Sequence, residues 1–134
     1  QLSGDDDLDD DEVRTFETLF ATNHKFYGLA DLFLNIPRDT AGRGLRDMAV
    51  KWNISGPGAT VLGIDLHAFR LVESEGLAAA RLAEELDVTV VYRLGSATRV
   101  TAGVSHVWGR AGLAAIGRAT GRRTFTYLMT AISF

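Results

Sequence analysis

The stretch that decides the fold is residues 85–94, which read E-L-D-V-T-V-V-Y-R-L. Its even positions are all apolar or aromatic, whereas its odd positions carry two acids, a threonine, a valine and an arginine. Side chains of a β-strand alternate between two faces, so this pattern predicts a strand with one apolar and one polar face. About ten residues is also the length of a tilted strand that crosses a bilayer.

The same alternation recurs along the chain, again with apolar side chains at even numbers. The predicted strands are residues 26–35, 45–54, 61–71, 85–94, 98–107 and 124–134. Glycine, proline and serine mark short turns after residues 54 and 94, and longer connections follow residues 35, 71 and 107. The sequence therefore predicts an all-β fold, an antiparallel meander of about six strands. Short and long connections alternate in this order in outer-membrane barrels.

Composition limits the remaining possibilities. The chain has 134 residues, of which 46% are hydrophobic, enough for one domain with a core. No run of 18 apolar residues is present, so no transmembrane helix is predicted, although a transmembrane barrel gives a much weaker signal. The chain has no cysteine, which excludes disulfides, thiolate catalysis and cysteine-based zinc sites.

Charge is distributed unevenly. Residues 1–23 contain eight acids and one base, and seven of the acids lie within residues 4–12. We interpret residues 1–23 as an acidic loop or linker, because such a charge run repels itself. A second interpretation is a divalent-cation loop at residues 4–12, although the spacing does not match an EF-hand. After Asp87 the chain has no acid but six arginines.

Enzyme chemistry is not indicated. Ser105 and His106 are adjacent, so they lie on opposite faces of one strand and cannot act as a nucleophile–base pair. No glycine-rich phosphate loop follows a strand, and no histidine pair has metal-ligand spacing. The sequence also lacks a nucleic-acid-binding module. We therefore expect neither catalysis nor a cofactor, a metal or nucleic acid.

Several segments resemble the alginate export family. The strongest is T-N-H-K-F-Y-G-L-A-D-L-F-L-N-I-P at residues 22–37. The others are S-G-D-D-D from residue 3, G-L-R-D-M-A-V-K from 44, L-H-A-F-R from 66, the stretch 85–94 and V-S-H from 104. Together they cover nearly the whole chain in the family's order. They are scaffold features rather than catalytic motifs.

The resemblance implies an outer-membrane β-barrel that passes an anionic polysaccharide or similar solute. Because the family's barrels are much larger than six strands, residues 24–134 would be strands in the C-terminal part of a larger barrel. The implied location is the bacterial outer membrane, with its lipid as a partner. The last strand ends at Phe134 with alternating apolar residues, which resembles the signal recognised by the barrel assembly machinery.

In that arrangement the even face meets lipid and the odd face lines a polar lumen. The lumen-lining candidates are Lys51, Asp65, His67, Asp87, Arg93 and Arg99. A second group crowds the last long connection without an acid and is a candidate for attracting an anionic polymer or lipid phosphates. Its members are Arg110, Arg118, Arg122 and Arg123.

The alternation also fits a small soluble β-barrel that binds an apolar ligand. In that case the even face would point inward as the core. Periodicity alone does not separate the two, because both barrels share the same alternation. The unequal connections and the terminal Phe134 favour the membrane protein.

Overall fold

The described residues form one antiparallel sheet. The computed structural model of this chain describes residues 2–4 and 26–133. Its five strands are hydrogen-bonded in chain order, so the predicted meander is confirmed for this part. They are β1 (Leu45–Ser55), β2 (Thr60–Leu71), β3 (Arg81–Leu94), β4 (Thr98–Gly109) and β5 (Arg122–Ile132). β1 and β5 are the two edges, and no pairing between described strands closes the sheet into a barrel.

The predicted faces are confirmed by the register of the sheet. Trp52 lies opposite Ile64, which lies opposite Val88, so residues of equal parity adjoin each other across the strands. A shift between Phe69 and Arg70 interrupts this register only near the end of β2. The apolar face contains Met48, Val50, Trp52, Leu62, Ile64, Leu66, Leu86, Val88, Val90 and Tyr92.

The hydrophobic core lies at the end of the sheet where the long connections meet. Two short helices contribute to this end, α1 (Ile36–Asp39) and α2 (Ala111–Ala115). Odd-numbered strand residues pack here against residues that precede β1, as where the rings of Phe33 and Phe69 approach to 4.9 Å. The buried core consists of Leu32, Phe33, Ile36, Leu45, Phe69, Leu71, Leu82, Ala83, Val107 and Leu113.

The predicted strand at residues 26–35 is wrong. This segment forms turns and bends, and Gly28 and Asp31 have positive φ angles of 85° and 54°, which a strand does not accommodate. The segment has apolar residues at both odd and even positions. Among them, Leu32 and Phe33 are buried against the sheet. The described sheet therefore has five strands rather than about six.

Several element boundaries also differ from the prediction. β3 begins at Arg81, before the predicted start at Glu85, and β5 ends at Ile132. Phe134 lies outside the described residues, as does most of the acidic segment 1–23. The predicted connections 36–44 and 108–123 contain α1 and α2. None of the described helices is long and apolar enough to cross a bilayer.

Candidate functional site

The polar face of the sheet is organised in rows, because odd residues of adjacent strands lie opposite one another. One row runs from Lys51 through Asp65 and Asp87 to Ser105. We call Asp47, Asp65, Glu85 and Asp87, which lie towards the long connections, the acidic belt. Two rows without charge follow, which we call the neutral belt: Asn53, Gly63, Thr89, Gly103 and Tyr127, then Ser55, Val61, Val91, Thr101 and Met129.

The next row, beside the short turn 95–97, contains two arginines. Arg93 and Arg99 are direct partners between β3 and β4, and we call them the arginine pair. Both are exposed, and Arg99 has Ala131 as its partner on β5. Along β3, the acids Glu85 and Asp87 thus lie towards the long connections, whereas Arg93 lies beside the short turn 95–97.

Half of the acidic belt is joined in a chain of polar contacts on β1 and β2. Lys51 Nζ lies 2.8 Å from Asp65 Oδ2 and 3.3 Å from His67 Nε2. Nδ1 of the buried His67 lies 2.8 Å from Asp47 Oδ2. This arrangement suits the tautomer in which Nδ1–H donates to Asp47 while Nε2 accepts from Lys51. The imidazole also stacks on Phe69.

The other half, on β3, is buried beneath residues 26–40, which we call the inner segment. Glu85 Oε1 accepts a hydrogen bond from the backbone N–H of Ala30 at 2.8 Å, and Asp87 Oδ2 accepts one from Leu29 at 3.2 Å. Glu85 Oε2, Asp87 Oδ1 and Ser105 Oγ are buried and have no hydrogen-bond partner among residues 2–4 and 26–133. The two carboxylates therefore hold the inner segment against the polar face.

Arg118, which follows α2, holds the inner segment from the other side. Its guanidinium donates to the carbonyl oxygens of Asp39 at 2.7 Å and Leu32 at 2.9 Å, and lies over the ring of Phe33. Burial lowers the pKa of Arg118 from its usual value, although the Asp39 carboxylate opposes this shift. In the same segment, burial and then the charge of Asp47 raise the pKa of Tyr27.

The other arginines of the last long connection differ in their surroundings. Arg110 forms an ion pair with Glu84, which also contacts Arg81 at 3.3 Å. Arg123 donates to the carbonyl oxygen of Ala119 at 3.4 Å. Arg122 is exposed at the start of β5. The four arginines thus differ in their partners, although the charge of Arg123 also contributes to the lowered pKa of Arg118.

We expect Arg118→Lys to lower the free energy of unfolding by about 1–3 kcal/mol. Lysine keeps the charge but cannot reach both carbonyl oxygens while covering the Phe33 ring. Chemical denaturation in detergent measures the change. Arg122→Lys is the matched control, since Arg122 is exposed, and we expect it to change stability by less than about 0.5 kcal/mol. Equal effects of the two substitutions would contradict the assigned role of Arg118.

Three further residues shape this site. Asp47 and Glu85 occupy odd positions of predicted strands, so parity places them on the polar face with the six lumen-lining candidates. Gly28 has no such signal, because its importance comes from the carboxylate of Glu85, against which an added Cβ would collide.

Comparison with known proteins gives no relative. No protein-family model matches the chain, and neither a curated protein nor a solved structure is similar to it. Among the described residues, no group of three or more histidine, cysteine, aspartate or glutamate side chains is arranged to hold a metal ion.

Proposed function

We propose that this sheet is part of the wall of an outer-membrane channel, the C-terminal part of a larger barrel like those of the alginate export family. The even face would contact lipid and the odd face would line the lumen. The observation that carries the proposal is that burial is inverted relative to a soluble sheet. On the central strand β3, Val90 is 41% exposed, whereas Asp87, on the opposite face, is 2% exposed.

The exposed apolar surface extends over the sheet. Large apolar side chains exposed on the even face include Met48, Val50, Trp52, Ile54, Leu66, Val90, Tyr92, Leu94, Val104, Leu128 and Ile132. A contiguous apolar surface of this kind on a soluble monomer marks an interaction surface. Lipid is the partner that requires apolar contacts over a whole sheet face and offers no hydrogen bonds.

The open edges support the same proposal. The strands have 11 to 14 residues, long enough to cross the hydrocarbon layer when tilted. Backbone groups at the outer edges of β1 and β5 would be unsatisfied in lipid, so a membrane protein must close the sheet with further strands. The resemblance to the alginate export family implies a larger barrel, and the other strands of that barrel would pair with these edges.

The solute we propose is an anionic polysaccharide or a similar anion. The arginine pair on the polar face and the exposed Arg122 at the long connections are positive groups that such a solute would meet. The protein would reside in the bacterial outer membrane, inserted by the barrel assembly machinery through its last strand. No described feature favours an enzyme. That the protein has no catalytic activity stays a prediction.

The experiment compares the 134-residue chain in buffer and in detergent. We expect it to aggregate without detergent and to form a β-rich, monodisperse species with detergent, measured by light scattering and circular dichroism. The reason is that both the apolar face and the strand edges need covering. A monodisperse monomer in plain buffer would contradict the proposal and support the small soluble β-barrel for an apolar ligand.

A matched pair of substitutions shows which face requires detergent. Val50→Lys changes the exposed apolar face of β1, and Asn53→Lys changes its polar face. We expect only Val50→Lys to impair folding in detergent, because only it would place a charge against apolar chains. Equal tolerance of both lysines would count against a lipid-facing even side.

A further inference from the structure

The two arginines of the pair repel each other unless a ligand of negative charge lies between them. Arg93 and Arg99 are direct cross-strand partners, and like charges directly opposite each other destabilise a sheet. Neither forms an ion pair with an acid of the described residues. The nearest acid on β3 is Asp87, six residues away, which is about 20 Å along a strand. No acid follows Asp87 in the sequence.

The surroundings of the pair add further polar groups. Arg93 and Arg99 line a cleft of about 270 Å³ together with the turn 95–97. Ser96, Thr98 and Ser133 also line it. The backbone N–H of Ser133 donates to the carbonyl oxygen of Ala97, which fixes the end of β5 beside the turn. Among the described residues, the lining therefore combines two positive charges with two serines and has no carboxylate.

We propose that this cleft binds a phosphate group between Arg93 and Arg99. A guanidinium presents a planar fork of donors that binds two oxygens at once. Two forks that approach from adjacent strands offer four donors, and a phosphate has enough oxygens to accept from both. A carboxylate has two oxygens and satisfies one fork. The proposal concerns a binding site and holds whether or not the channel passes a polymer.

The phosphate has two sources, a free phosphate ion and a lipid headgroup. Both present the same tetrahedral oxyanion. The arginine pair lies on the polar face, which a free phosphate in the lumen reaches directly. A headgroup reaches the cleft only around the short-turn end of the strands, which lies near the membrane interface. An experiment with two arms separates them.

Inorganic phosphate is titrated into the full 134-residue chain, folded in a phosphate-free maltoside detergent, and followed by calorimetry. We expect one saturable site. Arg93→Gln and Arg99→Gln should each weaken binding at least about tenfold, because each removes charge-assisted hydrogen bonds. Arg38→Gln, at an exposed arginine of α1 outside the cleft, is the control and should bind phosphate as the unmodified chain does.

The second arm adds phosphatidylglycerol to the micelles. Weaker apparent phosphate affinity supports the site and identifies the headgroup as a ligand; unchanged affinity supports it with free phosphate as the ligand. Glucuronate replaces phosphate as a carboxylate probe, and tighter binding of glucuronate would overturn the assignment.

Thermal unfolding tests the repulsion directly and detects variants that fail to fold. In phosphate-free detergent we expect Arg93→Gln to unfold at the same temperature as the unmodified chain or higher, since it relieves repulsion. Phosphate should raise the unfolding temperature of the unmodified chain and of the control Arg38→Gln, and raise that of Arg93→Gln and Arg99→Gln much less. The proposal is wrong if the folded, unmodified chain shows no saturable phosphate binding, or if Arg93→Gln binds phosphate equally well.

Discussion

Val90→Arg is expected to lower the free energy of unfolding by roughly 2–4 kcal/mol in detergent or lipid. Val90 lies on the exposed apolar face of β3 and points away from the polar face. In the proposed membrane arrangement, an arginine there would place its charge in the hydrocarbon layer, four residues from the short-turn end at Leu94. Chemical denaturation of the full-length protein in lipid measures the loss.

Two other substitutions in β3 are the controls for Val90→Arg. Thr89→Arg enters the neutral belt on the polar face and should cost far less, because its charge reaches the aqueous lumen. Leu94→Arg shares the apolar face but lies at the short-turn end, where a long side chain reaches the interface. The expected order of damage is Val90, then Leu94, then Thr89. Equal, large losses at Val90 and Leu94 in a protein that folds in plain buffer would rule out the membrane arrangement.

Gly28→Ala is the second substitution with a large expected effect. Gly28 has a positive φ of 85°, and a Cβ there would collide with the buried Glu85 carboxylate. The left-handed backbone alone costs about 1–2 kcal/mol for an alanine. Displacing Glu85 adds about 1–3 kcal/mol, as for other overpacked sites. Unfolding in detergent measures the total.

Gly76→Ala separates the two contributions. Gly76 has a similar φ of 73°, but no atom lies within 4 Å of its added Cβ. It should therefore show the backbone cost alone. In the double variant Gly28→Ala/Glu85→Ala the collision is absent, so the two effects should not add. Hydrogen exchange at Leu29 and Ala30 should accelerate in Gly28→Ala but not in Gly76→Ala. The double variant should also exchange faster at Ala30, because it lacks the Glu85 acceptor. Equal losses at Gly28 and Gly76 would show that the carboxylate does not hold the inner segment.

The sheet was predictable from sequence because its two faces differ so strongly. Parity along 85–94 assigns Val90 and Asp87 to opposite faces, and the register confirms this assignment across the strands. The turns 55–58 and 95–97 were also predictable, since glycine, proline and serine interrupt the alternation there. The face on which a strand residue lies and the position of a turn both depend on residues that are close together in the sequence. A single sequence is therefore sufficient to predict them.

The inner segment was not predictable by the same argument. Tyr27, Leu29, Leu32 and Phe33 are apolar at both parities, because they pack against the sheet instead of forming part of it. Its hydrogen-bond partners are distant in the sequence. The backbone N–H of Ala30 donates to Glu85, and the carbonyl oxygen of Leu32 accepts from Arg118. No local pattern contains these partners. α1 had a local signal, Asn35 as N-cap followed by Pro37, but it was interpreted as a loop.

Segregated charge along the polar face has an electrical consequence for a channel. In the proposed channel, an anion that enters past the arginine pair would cross the neutral belt before it meets the acidic belt, whereas one from the opposite mouth would meet the acidic belt soon after the exposed Arg122. The electrostatic energy profile would then be asymmetric along the pore axis. Under equal and opposite voltages such a pore would pass unequal currents, which is rectification of the conductance.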